Sequence, residues 1–440
     1  MPHTLSLKQD STTLVDFQSP STYATRTFSL RRGSGRWGAA VLVLDILGTS
    51  HNSLLDNVIA LRRALELARE NFELHARGLA YTPVFLNWKP VGATYTVQAE
   101  CFGDVDSERA IENILGSPER IMANRLESIL LNLVVRPYLE EQSAQSPALS
   151  SSTPDNNMTG VTFSGVRGDL EAPLKIVVRT DTANQTRVIV GIKTRGTVAN
   201  FVARYEGESA ALGSGVSVQA VAGFSGGQGA RWSPAGSANE QNICTWTISA
   251  NVADQIGTYR VFARVNDLNK KASLRVYAVS GGVSGDYGDN PKQVTTANVQ
   301  TLVDCGVITL PPSDTSGGVP SSISIVLRAS ASAATTLDVD CIYLMPVNEG
   351  GFMIASFPTA LGTGTAPDGI IDANDRAARA YLSTFANAED MRGSALMVPP
   401  NRGAALFILT MRVSNGAHVI TAVSSLTVTA TPRYGLGRGS

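Results

Sequence analysis

The chain has 440 residues, with 36 Lys and Arg against 37 Asp and Glu, and a formal net charge of −1 at pH 7. Only 17% of the residues are charged, whereas 43% are hydrophobic and 40 are glycine. These values exclude a disordered acidic chain, and they exclude a basic nucleic-acid-binding protein, which would carry a positive excess. At roughly 150 residues per domain, we expect two or three domains. No apolar stretch approaches the roughly 20 residues that span a bilayer, so no membrane partner is expected.

Residues 1–142 are predicted to form an α+β domain. The first 30 residues are read as a polar arm, and 37–48 (WGAAVLVLDILG) follows as a strand. A helix is expected over 52–75, because apolar residues recur there at spacings of three and four. Two runs, 82–88 (TPVFLNW) and 93–102 (ATYTVQAECF), are expected to pair as a hairpin. A short helix from Ser117 and a strand over 126–136 complete the domain.

The rest of the chain is predicted to be β-structure. Residues 143–160 are rich in Ser, Pro, Asn and Thr and are read as a linker. Residues 161–350 contain short strand-like runs between turn residues, which is typical of a jelly-roll β-sandwich. Residues 351–440 are either a separate β region or complete an earlier sheet, with Asn415-Gly416 as a hairpin turn. The strand-like runs before residue 350 are 174–179, 187–192, 216–221, 244–250, 257–265, 272–279, 300–310, 322–329 and 336–345.

Charge density differs along the chain. Residues 51–142 hold 22 charged side chains, whereas residues 311–370 hold 6. The low overall charge is therefore concentrated in the strand-rich region. A surface of low charge is typical of interfaces that become buried on association, so we expect an assembling protein.

The four cysteines, Cys101, Cys244, Cys305 and Cys341, are widely spaced and have no histidine nearby. Zinc sites need closely spaced Cys and His ligands, so no zinc site is expected. Free cysteine behaves as a small hydrophobic residue, and we expect all four to be buried in the core. The first residues, MPHTLSLKQD, lack the apolar region of a secretory signal, which predicts a protein made in the cytoplasm.

The sequence contains no recognisable catalytic motif. It has no G-x-S-x-G elbow, no H-E-x-x-H pair and no G-x-x-x-x-G-K-[ST] phosphate loop. The four histidines are scattered and none lies beside a candidate nucleophile in the sequence. The prediction is that the protein is not an enzyme. A pair of carboxylates brought together in space stays open as an alternative, because glycoside hydrolysis needs only their separation.

Two segments, GTYRVFARV (257–265) and LDVDCIYLMPV (337–347), resemble carbohydrate-binding modules of the jelly-roll, galactose-binding-like kind. The resemblance covers about residues 165–350. In that family an acid in the final strand, matching Asp340, often helps to hold a structural calcium ion, and sugars stack on exposed aromatic rings. The resemblance thus implies calcium at Asp340 and sugar stacking at Trp232 and Trp246. Asp338 shares a strand face with Asp340 and could share a cation with it.

The alternatives at these four positions are solvated strand acids and core tryptophans. No cofactor other than this structural calcium ion is expected.

The N-terminal region resembles the tail-tube-like domain of the distal tail (baseplate) proteins of tailed bacteriophages. The resemblance rests on the arm, the strand 37–48, the helix 52–75 and the hairpin of 82–102. In that family this domain precedes a carbohydrate-module-like sandwich, which is the order seen here. The implied fold is mainly β, with a tail-tube-like α+β N-terminal domain followed by a jelly-roll sandwich.

The resemblance also implies a function. We expect a virion structural protein of a tailed phage, located in the tail and made in the host cytoplasm, that forms a ring-shaped homo-oligomer such as a hexamer. It would join the tail tube to tip or fibre proteins, and its partners would include other virion proteins and host-surface glycans. The alternatives are a carbohydrate-binding host-recognition module and a capsid decoration protein.

Overall fold

The computed structural model describes most of the chain, and contacts divide it into two compact units. Unit 1 comprises Met1–Gln145, Arg167–Leu170 and Thr431–Ser440, and unit 2 comprises Ser146–Val166 and Glu171–Ala430. The short helix expected from Ser117 and the turn at Asn415-Gly416 lie outside the described residues. Described are residues 4–32, 37–77, 81–103, 111, 124–146, 150–151, 158–163, 165–180, 185–280, 283–287, 291–312, 317–362, 366–373, 379–414, 417–421 and 423–435.

Unit 1 is built from one long helix and short antiparallel strands. The predicted helix and hairpin are both confirmed. The described elements are α1 (His51–Ala76), β1 (Thr4–Gln9), β2 (Thr12–Asp16), β3 (Tyr23–Arg32), β4 (Gly38–Leu47), β5 (Val84–Lys89), β6 (Val97–Glu100), β7 (Arg125–Val135) and β8 (Tyr138–Glu141), together with a last strand, Arg433–Gly435, near the chain end.

Two sheets and the helix enclose the core of unit 1. One sheet has the order β2-β1-β5-β6-β8 followed by the last strand, and the other has the order β3-β4-β7. Helix α1 begins after Ser50, whose hydroxyl accepts a hydrogen bond from the Ser53 N–H at 3.2 Å. Its apolar stripe, which includes Leu54, Val58 and Leu61, is fully buried. The spacing of three and four residues therefore places the whole stripe against the sheets.

The polar arm expected for residues 1–30 is wrong. These residues form β1, β2 and most of β3, and β1 is an inner strand that pairs with both β2 and β5. Leu5, Leu7 and Phe17 are fully buried. The alternation of Leu5 and Leu7 between polar residues places both side chains on one face of the strand, although the segment as a whole is polar.

The chain returns to unit 1 at its end. The last strand, Arg433–Gly435, pairs with β8, and Arg433 Nη2 lies 2.7 Å from Glu140 Oε1. Tyr434 stacks on Tyr95 with ring centroids 5.7 Å apart. Unit 1 therefore contains strands from both ends of the chain.

Unit 2 is almost entirely antiparallel β-structure, as the sequence predicted. Each of the nine strand-like runs expected between residues 174 and 345 coincides with a strand. Its elements are α2 (Val252–Gln255) and the strands β9 (Ser150–Ser151), β10 (Met158–Phe163), β11 (Ala172–Thr180), β12 (Gln185–Lys193), β13 (Arg204–Glu206), β14 (Ala211–Leu212), β15 (Val216–Ala220), β16 (Gln228–Trp232), β17 (Ala238–Ile248), β18 (Gly257–Asp267), β19 (Ala272–Ser280), β20 (Val283–Tyr287), β21 (Lys292–Gln293), β22 (Thr301–Leu310), β23 (Ile323–Ala331), β24 (Leu337–Pro346), β25 (Phe352–Leu361), β26 (Gly369–Asp372), β27 (Arg379–Leu382), β28 (Asp390–Gly393), β29 (Met397–Val398), β30 (Ala404–Ser414), β31 (Ala417–Thr421) and β32 (Val423–Ala430).

Residues 204–346 form a sandwich of two sheets. One has the order β15-β16-β24-β18-β22, with β13 also paired to β24. The other has the order β14-β17-β23-β19-β20, with β21 also paired to β19. The apolar residues of their facing sides, including Val261, Leu327 and Leu344, are fully buried in one cluster.

The remaining strands of unit 2 form a second pair of sheets. One has the order β28-β25-β12-β30-β10-β9, with β31 on β30, and the other the order β27-β26-β11-β29, with β32 on β11. Strands within residues 352–430 thus pair with β10, β11 and β12. Of the two alternatives predicted for this part of the chain, it therefore completes an earlier sheet. The segment read as a linker contributes β9 and the start of β10. Pairing between such distant segments leaves no local pattern in the sequence.

The four cysteines are free and buried, which confirms their expected place in the core. Burial raises the pKa of the Cys244, Cys305 and Cys341 thiols to about 12. These thiols are therefore protonated at neutral pH and pack as apolar groups. Among the helices in the described part of the chain, none is both long and apolar enough to cross a membrane.

Candidate functional site

Strand β24 carries both acids that the sequence singled out, but the structure places them in different surroundings. The Asp338 carboxylate makes a two-pronged ion pair with Arg231 of the neighbouring strand β16, with Nε–Oδ1 at 2.6 Å and Nη2–Oδ2 at 3.0 Å. Both carboxylate oxygens are therefore engaged by one guanidinium. Among the described residues Asp338 is not part of the group of ligand atoms around Asp340, so the two acids do not form a shared cation site.

Asp340 is fully buried two positions further along β24. Its Oδ1 accepts a hydrogen bond from the Ser225 N–H at 2.9 Å, and its Oδ2 lies 2.8 Å from Arg264 Nη1. Burial raises the pKa of Asp340, and the facing Arg264 guanidinium opposes that rise. A fully buried acid of this kind needs a positive partner, because an uncompensated charge is costly away from water.

Further acids surround Asp340 and complete what we call the Asp340 cluster. Glu206 lies at the end of β13, and its carboxylate, the Asp340 carboxylate and the Cys341 thiol have ligand atoms within 4.8 Å of one another. Arg204 Nη2 lies 2.5 Å from Glu206 Oε1. A third acid, Glu208, is close enough for its charge to raise the pKa of Asp340. The cluster consists of Arg204, Glu206, Glu208, Arg264 and Asp340.

The donor set of the Asp340 cluster suits calcium. Carboxylate oxygens are the ligands that Ca²⁺ prefers, whereas the protonated Cys341 thiol is a poor ligand for a hard cation. Within the described residues, the buried Glu208 Oε2 has no hydrogen-bond partner. Three carboxylates face two guanidiniums, so one negative charge is left over. The carboxylates of Glu206 and Asp340 are thus close enough to hold a cation together, and Glu208 adds negative charge nearby.

The sequence reasoning missed Glu206 and Glu208. Their signal is the E-x-E spacing in RYEGE, 204–208, which follows a short strand. Only the antiparallel pairing of β13 with β24, in which Glu206 faces Cys341, brings that segment beside Asp340. The spacing alone did not indicate which strand it would meet.

Trp232 and Trp246 do not offer a sugar-binding surface. Trp232 is 3% exposed and Trp246 is 4% exposed, and both belong to the hydrophobic core of the sandwich. The Trp246 Nε1–H donates a hydrogen bond to the Glu206 carbonyl oxygen at 2.7 Å. The stacking implied by the resemblance is therefore contradicted, because it requires an exposed ring face. The alternative of two core tryptophans describes their positions.

Unit 1 carries a different kind of candidate site, an apolar sheet surface. On β4 the side chains of Ala40, Leu42 and Leu44 point inward and are fully buried, so the alternate residues point away from the core. These are paired with outward residues of β7 in the register Val43–Leu130, Val41–Asn132 and Ala39–Val134. We call the apolar members of this surface the outer face: Ala39, Val41, Val43, Leu130 and Val134.

The outer face has one strongly exposed member on its edge strand, β7. Leu130 is 57% exposed, which is unusual for a leucine in the middle of a strand. A single exposed apolar residue needs no explanation, but a contiguous apolar sheet surface is typical of an interaction site. Among the described strands β3 ends this sheet, so the N–H and C=O groups along its outer side are available to another strand.

A charged network lies at one end of the outer face. Asp45 of β4 is buried and sits within 2.8 Å of Arg26 Nε and 2.5 Å of Arg125 Nη2. Its Oδ1 also accepts a hydrogen bond from the Ser128 N–H at 2.9 Å. Both arginines reach solvent. An apolar patch with a charged margin has the anatomy of a protein interface, in which a polar rim surrounds an apolar centre.

Comparisons with known proteins give structural neighbours but no family. No protein-family model matches the sequence, and no curated protein matches it. One similar structure is the Dit protein, gp 19.1, of phage SPP1, described as a paradigm of the hub adsorption apparatus in phages that infect Gram-positive bacteria. It is 8% identical, with 98% of each chain covered and a TM-score of 0.26.

Two carbohydrate-binding modules are similar to part of the chain. A CBM36 module in complex with calcium and xylotriose is 16% identical over 32% of this chain and 99% of the module, with a TM-score of 0.21. TmCBM61 in complex with β-1,4-galactotriose is 15% identical over 30% of this chain and 82% of the module, with a TM-score of 0.23. At such TM-scores these similarities carry no inference, and function is inferred from the geometry above.

Proposed function

We propose that this chain is a virion structural protein of a tailed bacteriophage. It forms a ring at the distal tail or baseplate through unit 1, and it joins the tail tube to tip or fibre proteins. The observation that carries the proposal is the outer face, an apolar sheet surface beside an available strand edge. The protein acts by contact with its neighbours and requires no catalysis.

Burial of the outer face supplies the driving force for association. Covering a large aliphatic side chain contributes about 1.5–3 kcal/mol, and Leu130 is the most exposed member of the outer face. The strand edge of β3 would be satisfied by a neighbouring subunit. In a closed ring every subunit uses the same two surfaces, so no edge is left for open-ended growth.

The proposal is tested by the size of the full chain in solution and by negative-stain electron microscopy. The wild type is expected to form closed rings of about the width of a phage tail. Leu130→Lys places a charge on the outer face and is expected to give monomers. Leu268→Lys is the matched control, because Leu268 is a 46%-exposed leucine of unit 2.

Two results would contradict the proposed ring. The first is a wild type that stays monomeric at tens of micromolar. The second is a Leu130→Lys variant that assembles like the wild type. A trimer in place of a ring would favour the capsid decoration protein. Circular dichroism of both variants shows whether they are folded.

We also propose that the Asp340 cluster holds a structural calcium ion. Glu206 and Asp340 would be its ligands, and the ion would balance the charge that Arg204 and Arg264 leave over. It would also tie the segment around β13 to the central strand β24. Because only the folded state has this arrangement, calcium at 100 times its dissociation constant would stabilise it by about 2.7 kcal/mol.

The calcium proposal is tested by thermal unfolding with calcium and with a chelator. The wild type is expected to unfold at a higher temperature in calcium, and Glu206→Gln is expected to lose that difference. Glu171→Gln, at an exposed acid elsewhere in unit 2, should keep it. Equal unfolding temperatures of the wild type in both buffers would exclude a structural role for the ion.

A further inference from the structure

Unit 2 contains a groove that is separate from the Asp340 cluster. It has a volume of about 520 Å³. Two loops form its walls. One loop follows β12 and the other precedes β30, and these two strands pair with Lys193 opposite Ala405. The two loops therefore lie at the same end of neighbouring strands. The lining residues are Thr194, Arg195, Gly196, Thr197, Val198, Ala199, Arg402 and Gly403.

A buried ion pair holds the start of the first loop. Lys193 Nζ and Glu349 Oε1 are 2.6 Å apart, and both side chains are 1% exposed. The other oxygen of Glu349 accepts hydrogen bonds from the N–H groups of Thr194 at 2.8 Å and Arg195 at 2.9 Å. The backbone beneath Arg195 is therefore fixed by a carboxylate that faces away from solvent.

A second acid holds the rest of the loop. Asp254 Oδ1 accepts a hydrogen bond from the Thr197 N–H at 2.7 Å, and Oδ2 accepts one from Asn200 Nδ2 at 2.8 Å. The hydrogen bond from Thr197 is the main reason why the pKa of Asp254 is lowered. Gly196 has φ +70°, and a Cβ there would lie 2.7 Å from Asp254 Oδ1. Glycine is therefore required at this position, and Asp254 anchors the loop backbone beside it.

The two arginines of the groove have no such partners. Arg195 and Arg402 are both exposed, and within the part of the chain that the structure describes neither side chain makes an ion pair. Elsewhere in unit 2 arginines such as Arg231 and Arg260 are paired with carboxylates. Two arginines, two threonines, the apolar side chains of Val198 and Ala199, and glycine backbone line the groove, and its described lining contains no acid and no aromatic ring.

We propose that this groove binds an anionic group, a phosphate or a carboxylate, carried by a surface polymer such as a glycan. Guanidinium groups bind both kinds of oxyanion through paired hydrogen bonds. The absence of aromatic rings from the lining excludes recognition of a neutral sugar by stacking. The volume lies in the usual range for small-ligand sites, about 300–1,000 Å³, and accommodates a charged group with its neighbouring sugar or polyol.

The test measures binding of the full chain to three polymers by isothermal titration calorimetry. Poly(glycerol phosphate) carries phosphates, polygalacturonate carries carboxylates, and dextran carries no charge. The wild type is expected to bind one or both polyanions and not dextran, with an affinity that falls as salt is added. The double variant R195Q/R402Q is expected to bind at least tenfold more weakly. Which polyanion binds identifies the charged group.

The control is the double variant R63Q/R77Q, which removes two exposed arginines from unit 1 and has the same net charge. It is expected to bind within twofold of the wild type. Three results overturn the proposal: no binding of either polyanion by the wild type, equal binding of dextran, or equal losses in the two double variants. Binding at this groove does not depend on ring formation, so each proposal can fail alone.

Discussion

The two units treat buried charge differently. In unit 1 the buried acids Asp45 and Glu141 pair with arginines whose side chains are 42–53% exposed. Unit 2 contains two pairs in which both partners are more fully enclosed: Lys193 and Glu349 are each 1% exposed, and Arg264 and Asp340 are 10% and 0% exposed. Both units also contain intermediate pairs, such as Arg136–Glu100 in unit 1 and Arg231–Asp338 in unit 2. Unit 2 has fewer charges along much of its sequence, yet it encloses them more fully. A low charge count therefore says nothing about where the charges lie.

The difference has an energetic consequence. An ion pair that reaches solvent contributes little, because water can replace either partner. Breaking a fully buried pair leaves a charge that nothing compensates, and this costs about 3–5 kcal/mol. The largest effects of substitutions at charged residues are therefore expected in unit 2.

The largest expected effect is that of Glu349→Gln. It should lower the free energy of unfolding of unit 2 by about 3–5 kcal/mol, because it removes the negative charge that compensates the buried Lys193 ammonium. Burial already lowers the pKa of Lys193, which shows that its charged form is costly at this position. Chemical denaturation, with hydrogen exchange to separate the two units, measures the change. The double variant K193M/E349Q should recover much of the loss, since no unpaired charge remains.

Arg392→Gln is the control for the buried pair. Arg392 and Asp390 also pair in unit 2, but their side chains are 74% and 40% exposed. This variant should stay within about 0.5–1 kcal/mol of the wild type. Equal losses in Glu349→Gln and Arg392→Gln would remove the contrast between buried and exposed pairs.

The second prediction compares the two faces of β4 in unit 1. Leu42→Ala should cost about 2–5 kcal/mol, because Leu42 is fully buried and its truncation leaves a cavity. Val43→Ala, at the next position but on the outer face, should cost about 1 kcal/mol or less in the monomer. Its effect should grow at concentrations where the protein assembles. Denaturation at low and at high protein concentration measures the effects of both variants. If the effect of Val43→Ala is the same at both concentrations, the outer face is not an interface.

The smallest effect concerns pH and Glu100 of unit 1. Burial raises the pKa of this carboxyl to about 6 from its ordinary 4.5, although Arg136 opposes the rise. The folded state therefore holds the proton more tightly than the unfolded chain does. The stability that the bound proton contributes is fully present below pH 4.5 and is lost as the pH rises through about 6. The loss in the free energy of unfolding is about 2 kcal/mol.

Unfolding of the wild type and of Glu100→Gln between pH 4.5 and 7 measures this contribution. The difference between the two proteins should change across that interval, because the glutamine does not titrate. Glu127→Gln, at a side chain that is 59% exposed, is the control and should follow the wild type. A constant difference between wild type and Glu100→Gln would show that Glu100 has an ordinary pKa.

Local patterns predicted the elements well. The helix stripe from Leu54 onward and the strands of unit 2 were read from apolar spacing and turn residues, because a strand or a helix face is encoded within about ten neighbouring positions. The burial of the cysteines followed from their chemistry. The first strands of unit 1 were missed, because Leu5 and Leu7 alternate within too short a run to stand out from the polar residues around them.

The candidate sites depended on contacts that no local pattern contains. Asp340 was visible as an acid in a strand, but Glu206 and Arg264 joined it only through the pairing of β13 and β18 with β24. The burial of Trp232 and Trp246 was likewise decided by the sandwich, since an aromatic residue in a strand faces either solvent or core. The groove at Arg195 and Arg402 joins two loops from strands that are far apart in the chain.

By itself the sequence determined that the protein is mainly β, that one long helix lies near its start, and that charge is sparse in the strand-rich region. Tertiary structure alone decided which strands pair, that the last strand returns to β8, and which side of β4 is left uncovered. The physical reason is the range of the interactions. Alternation and capping act between near neighbours, whereas pairing and burial join distant segments that must all be packed together before any one of them is satisfied.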